Sequence, residues 1–121
     1  MPARNQEFLS GEYYHIYHCG AESQRIFFKT ENYFYFLRLL NKYRKLLSMN
    51  IIAYCLMPTH FHFMLQAGIS YNLSVFMQRL QMSYVQAINK RYKRKGSLFN
   101  GRFEHKGREI NKLDIQHQLS Q

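Results

Sequence analysis

The residues with the most chemical promise lie in the stretch Met57-Pro-Thr-His-Phe-His-Phe-Met-Leu65, where His60 and His62 stand two apart in an otherwise apolar run. Successive side chains of a strand point to opposite faces. An extended backbone therefore puts His60, His62 and Met64 on one face and Phe61, Phe63 and Leu65 on the other. The second set reads as core. Two imidazoles at i and i+2 lie roughly 6–7 Å apart at Cβ and can share a metal ion. The plainer reading is a pair of surface histidines on a half-exposed strand. A closed zinc site needs two further ligands, and neither Cys19 nor Cys55 has suitable spacing. A carboxylate-based two-metal centre is disfavoured too, because no acid sits in the sequence neighbourhood of the pair. What remains is one loosely held divalent ion, with two imidazole ligands and positions left for phosphate oxygens.

The elements around this strand can be read from pattern. Tyr13 to Cys19, rich in aromatic and β-branched residues, predicts a first strand closed by Gly20. From Thr30, a plausible N-cap, to about Ser48 the apolar positions recur at helical spacing. Ile51 to Met57 is apolar on both faces and reads as an interior strand, joined to the histidine strand by Pro58-Thr59. Asn72 can cap a second helix with the stripe Leu73, Phe76, Met77, Leu80, Tyr84, Ala87 and Ile88. Phe103 to Ile110 predicts a fourth strand, weakened by Gly107, and a last helix is expected from about Lys112. The order β-α-β-β-α-β is the split βαβ plan of a ferredoxin-like α+β sandwich. Its helices cover one face of an antiparallel sheet and leave the other open. On that plan Phe61, Phe63 and Leu65 go under the helices, and His60 and His62 look out from the open face.

Composition narrows the class. The chain has 121 residues, the size of one domain, and 46% of them are hydrophobic, so a packed core is expected. Residues 1–11 are polar and expected to be frayed. Seventeen Lys and Arg against seven Asp and Glu give a formal charge of +10, which favours a polyanionic partner. The two cysteines match no redox motif and suit reduced core residues of a cytoplasmic protein. No stretch approaches the ~18 apolar residues of a membrane span. Much of the charge is concentrated in Lys90, Arg91, Lys93, Arg94 and Lys95, just before Gly96. Such a run suits a solvated helix end. It equally suits phosphate contact along a single strand, with Tyr92 or Phe99 for base stacking and Arg102 and Lys106 extending the patch.

Three segments carry a resemblance: "YYHIYHCGAESQRIFF" at 13–28, "AYCLMPTHFHFMLQ" at 53–66 and "LSVFMQRLQMSYVQAINKRYKRKGSLFNGRFEHK" at 73–106. With the spacing between them they resemble HUH-type single-tyrosine transposases, in particular the REP-associated tyrosine transposases and their insertion-sequence relatives. The resemblance implies a DNA nicking and joining activity on hairpin-forming single-stranded ends. It implies that His60 and His62 hold a Mg²⁺ or Mn²⁺ that polarises the scissile phosphate. It further implies a tyrosine on a C-terminal helix that attacks phosphorus to give a 5′-phosphotyrosine and a free 3′-OH. An Asn or Gln one turn later would complete the metal shell. Members include dimers and monomers, so a homodimer stays open.

Two departures from the family pattern matter. Where members often have Asn-Arg-Gly after the first strand, this chain has His18-Cys19-Gly20, which removes a basic side chain near the DNA. The family's last helix has the form D/E-x-x-x-x-L-S-x-Tyr-Ile-x-x-Asn, and Asp114 to Gln121 fits it up to the residue before the tyrosine. The expected nucleophile would follow Gln121. Tyr17, on the strand expected to neighbour the histidine strand, is the internal tyrosine best placed for the open face. Two further readings remain: a catalytically inactive single-stranded DNA-binding derivative, and a ferredoxin-like RNA-binding module using sheet-face aromatics.

Overall fold

The computed structural model describes residues 11–68 and 73–107, with Lys106 and Gly107 described in backbone only. The described elements are β1 (Tyr13–Cys19), a short 3₁₀ turn (Ala21–Ser23), α1 (Thr30–Leu46), β2 (Asn50–Met57), β3 (His60–Gln66), α2 (Leu73–Arg91) and β4 (Glu104–Gly107). The four strands form one antiparallel sheet in the order β2-β3-β1-β4, the ferredoxin-like arrangement. The expected frayed start, the Asn72 cap and the helix from Lys112 fall outside the described residues, apart from Gly11. That residue is tied down, its N–H donating to the Ala67 carbonyl at 2.9 Å. No described helix is long and apolar enough to cross a membrane.

Period-two alternation works as expected on β1, where Tyr14, Ile16 and His18 are buried and the residues between them are more open. Phe61, Phe63 and Leu65 of β3 join Phe36 of α1 and Phe76, Leu80 and Tyr84 of α2 in a core that is almost fully excluded from water. The α2 stripe is buried at every expected position except Ala87, which is half-buried. Tyr84 brings its own polar partner, donating from its hydroxyl to the Ile26 carbonyl at 2.6 Å.

Two expectations need correcting. The apolar run of β2 does not make an interior strand, because β2 is the edge of the sheet. Its register shifts between Ile51 and Ala53, and Ile52, Tyr54 and Met57 stay 42%, 50% and 39% exposed. A run that is apolar on both faces shows β-propensity but does not say how many neighbours a strand has. The start of α1 is also satisfied differently. Lys29, not Thr30, occupies the cap position and makes no capping bond from its side chain. The buried Asn32 does the work instead, its carboxamide oxygen accepting from the Phe28 and Lys29 backbone N–H groups at 2.8 Å each.

Replacing Asn32 with Ala leaves those two donors without a partner and should lower the unfolding free energy by about 2 kcal/mol in denaturant titrations. Thr30→Ala should stay within about 0.5 kcal/mol of the parent, because its hydroxyl caps nothing.

Candidate functional site

β3 lies between β2 and β1, so each histidine has a neighbour on both sides. His60 pairs with Met57 on β2 and Cys19 on β1, and His62 pairs with Cys55 on β2 and Tyr17 on β1. Directly paired residues share a face. The face away from Phe61 and Phe63 therefore gathers His60, His62, Cys19, Cys55 and Tyr17, with His15 one step along β1. It is less open than expected, because His62 and Met64 on it are buried and only His60 of the pair is half-exposed. The two imidazoles lie side by side, ring centroids 6.0 Å apart and nearly parallel at 13°. Tyr17 stands against both, its ring centroid 5.7 Å from His60 and 6.4 Å from His62.

Each histidine is held at its inner nitrogen. His62 Nδ1 is 3.3 Å from Nε2 of His15, and His60 Nδ1 is 3.4 Å from the Thr59 hydroxyl. Among the described residues no hydrogen bond is made at Nε2 of either ring. His62 is only 6% exposed, and burial, with a smaller contribution from neighbouring His60, lowers its pKa from the ordinary 6.5. Its ring is therefore neutral at physiological pH, the form that binds metals. This donor set fits a divalent ion that draws its other ligands from phosphate oxygens. No group of three or more His, Cys, Asp or Glu among the described residues is arranged to hold an ion.

The sequence reading missed His15, Cys19 and Cys55 beside this pair, and Glu104 beyond Tyr17. Cys19 and Cys55, expected in the core, are only half-buried and flank the histidines across the sheet. Glu104 of β4 pairs with Tyr17, and a shallow pocket of about 200 Å³ lies among His15, Tyr17, Glu104 and His105. Only strand order brings these together, and no sequence spacing carries that signal. Burial, then the charges of Cys19 and Glu104, push the Tyr17 phenol above its ordinary pKa, so it is not set up as an anionic nucleophile. Burial does the same to Tyr84 more strongly.

The basic run follows α2 to the His60 end of the sheet. Phe99 bridges to Gly20, and the Asn100 N–H donates to the Cys19 carbonyl at 2.9 Å. His18, which stands in the segment where family members often have Asn-Arg-Gly, is buried beneath this loop. Its Nε2 donates to the Gly101 carbonyl at 3.1 Å, while Nδ1 accepts from Gln81 at 2.8 Å. The cations divide into two kinds. Lys90, Lys93, Lys95 and Arg102 are exposed. Arg91 is paired with Glu31, and Arg94 donates to Asn89 at 2.6 Å and Gln24 at 2.9 Å. Lys106 pairs through its backbone with His15.

A family model described as "Transposase IS200 like" matches residues 9–113. The chain belongs to that family. Among solved structures, a REP-associated tyrosine transposase bound to a REP hairpin superposes with a TM-score of 0.75 at 14% identity, covering 98% of this chain and 68% of the other. A candidate transposase from Deinococcus radiodurans R1 gives a TM-score of 0.66 at 13% identity, covering 97% and 95%. These two likenesses establish a shared fold. No curated protein matches the chain.

The fold favours neutral His62, so the unfolded chain takes up this proton first as pH falls. The stability present above pH 6.5 is therefore lost as pH drops through that value toward the lower folded pKa. A His62→Asn variant should lose less unfolding free energy than the parent across roughly pH 7 to 5. In the parent, the His62 ring resonances should titrate below the ordinary value by NMR.

Proposed function

We propose that this IS200-like transposase domain nicks and rejoins single-stranded DNA at hairpin-forming ends through a 5′-phosphotyrosine. The observation that carries the reading is the placement of His60 and His62 side by side on one face of an interior strand. A Mg²⁺ or Mn²⁺ held by the two rings would supply Lewis-acid polarisation of a phosphate oxygen. The sheet holds the rings so that little reorganisation is needed when a phosphate arrives. The neutral state of His62 keeps a lone pair ready, and the neighbouring aromatic face of Tyr17 offers a surface on which a base can stack. The loop 96–102 brings exposed Arg102 to the same end of the sheet, where phosphate contacts would fix the strand. The relative that is described as bound to a REP hairpin supports the DNA class. The RNA-module reading is weaker, because β3 presents histidines where that use of the face needs aromatics.

The nucleophile is the test. The chain of residues 1–121 should bind hairpin-ended single-stranded DNA without forming a covalent adduct, since Tyr17, the tyrosine that stands against both histidines, belongs to a strand paired on both sides. Adding the Tyr-Ile-x-x-Asn continuation should produce a protein–DNA adduct that depends on Mg²⁺ or Mn²⁺ and appears as a shifted band on a denaturing gel. His60→Ala in the extended chain should abolish it. An adduct from residues 1–121 alone would overturn the assignment and point to Tyr17.

Binding should depend on the exposed cations rather than on those already bonded. Combining Lys90→Gln, Lys95→Gln and Arg102→Gln should weaken binding to all sequences alike. The slope of log K against log salt should fall by about 2, or roughly 0.7 per lost contact. An unchanged slope would make the run a solvated helix end and nothing more.

A further inference from the structure

The contact between His15 and His62 joins two rings that each have one donor and one acceptor nitrogen when neutral. His15 Nε2 and His62 Nδ1 are 3.3 Å apart, with the rings crossed at 86° and their centroids 5.4 Å apart. Either nitrogen could carry the proton, and the two arrangements have opposite consequences at the far side of His62. If His15 donates, His62 carries its own proton on Nε2, and the outer nitrogen has no lone pair to give. If His62 donates from Nδ1, the outer nitrogen is a free base.

We propose that His15 is a positioning residue that accepts the Nδ1 proton of His62 and so holds its Nε2 lone pair available on the face it shares with His60. This rests on the metal reading above and assigns to β1 a part in it. A metal-binding histidine ordinarily gives its other N–H to an acceptor, which fixes tautomer and ring orientation together. The neighbouring ring points the same way. His60 Nδ1 faces the Thr59 hydroxyl at 3.4 Å, an oxygen that can accept, so both inner nitrogens are engaged from the protein side. Both outer nitrogens are left on one face. His15 comes from β1, so the site is assembled across two strands, although its histidine pair lies on one.

The experiment uses the 121-residue chain, ¹⁵N-labelled at histidine and free of metal. Long-range ¹H–¹⁵N correlation reads the tautomer of His62, assigned by its disappearance in His62→Asn. The expected spectrum has a protonated Nδ1 and an unprotonated Nε2. His15→Phe keeps a ring but cannot accept, so it should shift His62 toward the Nε2–H form. Mn²⁺ affinity by calorimetry should then fall about 10- to 100-fold. His15→Gln, whose carboxamide oxygen can accept, should restore both properties. A parent spectrum with the proton on Nε2, or His15→Phe leaving tautomer and Mn²⁺ affinity unchanged, would overturn the inference. A parent with the expected tautomer but no Mn²⁺ binding would uphold the role of His15 and overturn the metal reading instead.

Discussion

Everything at the candidate site depends on the register of β3 between its two neighbours. Side chains alternate on a strand, so a slip of one residue would carry the imidazoles inward and the phenyl rings outward. Phe61, Phe63 and Leu65 are fully buried, and each is worth roughly 1.5–3 kcal/mol by burial. A slip would forfeit all three and carry the half-exposed His60 ring into the core as well. The pairing is pinned from both sides, Cys55 and Tyr17 opposite His62, Met57 and Cys19 opposite His60. The core thus fixes which face the histidines occupy, and the exposed chemistry follows from the buried packing.

Among the described residues, the end of the sheet nearest His60 is organised by hydrogen bonds, most of them between backbone groups, rather than by ion pairs. The Gly20 N–H donates to the Thr59 carbonyl, the Ile26 N–H to the Pro58 carbonyl, and the Ala21 N–H to the Leu98 carbonyl. Gly20 is required there, because a Cβ would sit 2.1 Å from the Gln24 carbonyl oxygen. Gln24 donates to the Ser97 and Leu98 carbonyls and accepts from Arg94, and Tyr92 donates to Asn32. One cation of the basic run therefore serves to fold the loop that carries the others. Lys90, Lys93 and Lys95 stay exposed to solvent, and on the proposed reading they would be the ones to meet phosphates.

How legible this was in the sequence follows from the range of each signal. The buried set Phe61, Phe63 and Leu65 and the helical stripe of α2 are local patterns and were read correctly. The opposite face of β3 is not open as expected, since His62 and Met64 on it are buried as well. The placing of β2 at the edge was not readable, because Ile51 to Met57 has the same composition whether one neighbour or two lie beside it. Asn32 was overlooked in favour of Thr30 because a capping side chain at the third helical position needs a particular backbone turn, which residue type alone does not show. His15 and Glu104 were passed over for a different reason. Their importance lies in lateral pairing, β1 to β3 and β1 to β4, over separations in the chain that no periodicity spans.

The same lateral pairing limits which hydroxyl could perform nucleophilic chemistry. A nick that is later rejoined needs an oxygen brought to about 3–3.5 Å from phosphorus and then withdrawn with its attached strand. Tyr84 is locked into the core and bonded to Ile26, Tyr43 is bonded to Ser83, and Tyr92 is bonded to Asn32. Tyr17 has the right face but the wrong freedom. It belongs to a strand paired on both sides, with His62 opposite it on β3 and Glu104 opposite it on β4. Its phenol is also held protonated by burial and by Cys19 and Glu104. A residue so placed can orient a base or a phosphate, but it cannot travel with one. On the proposed reading, the sheet would hold the phosphate still, and the attacking hydroxyl would belong to an element that is not woven into the sheet.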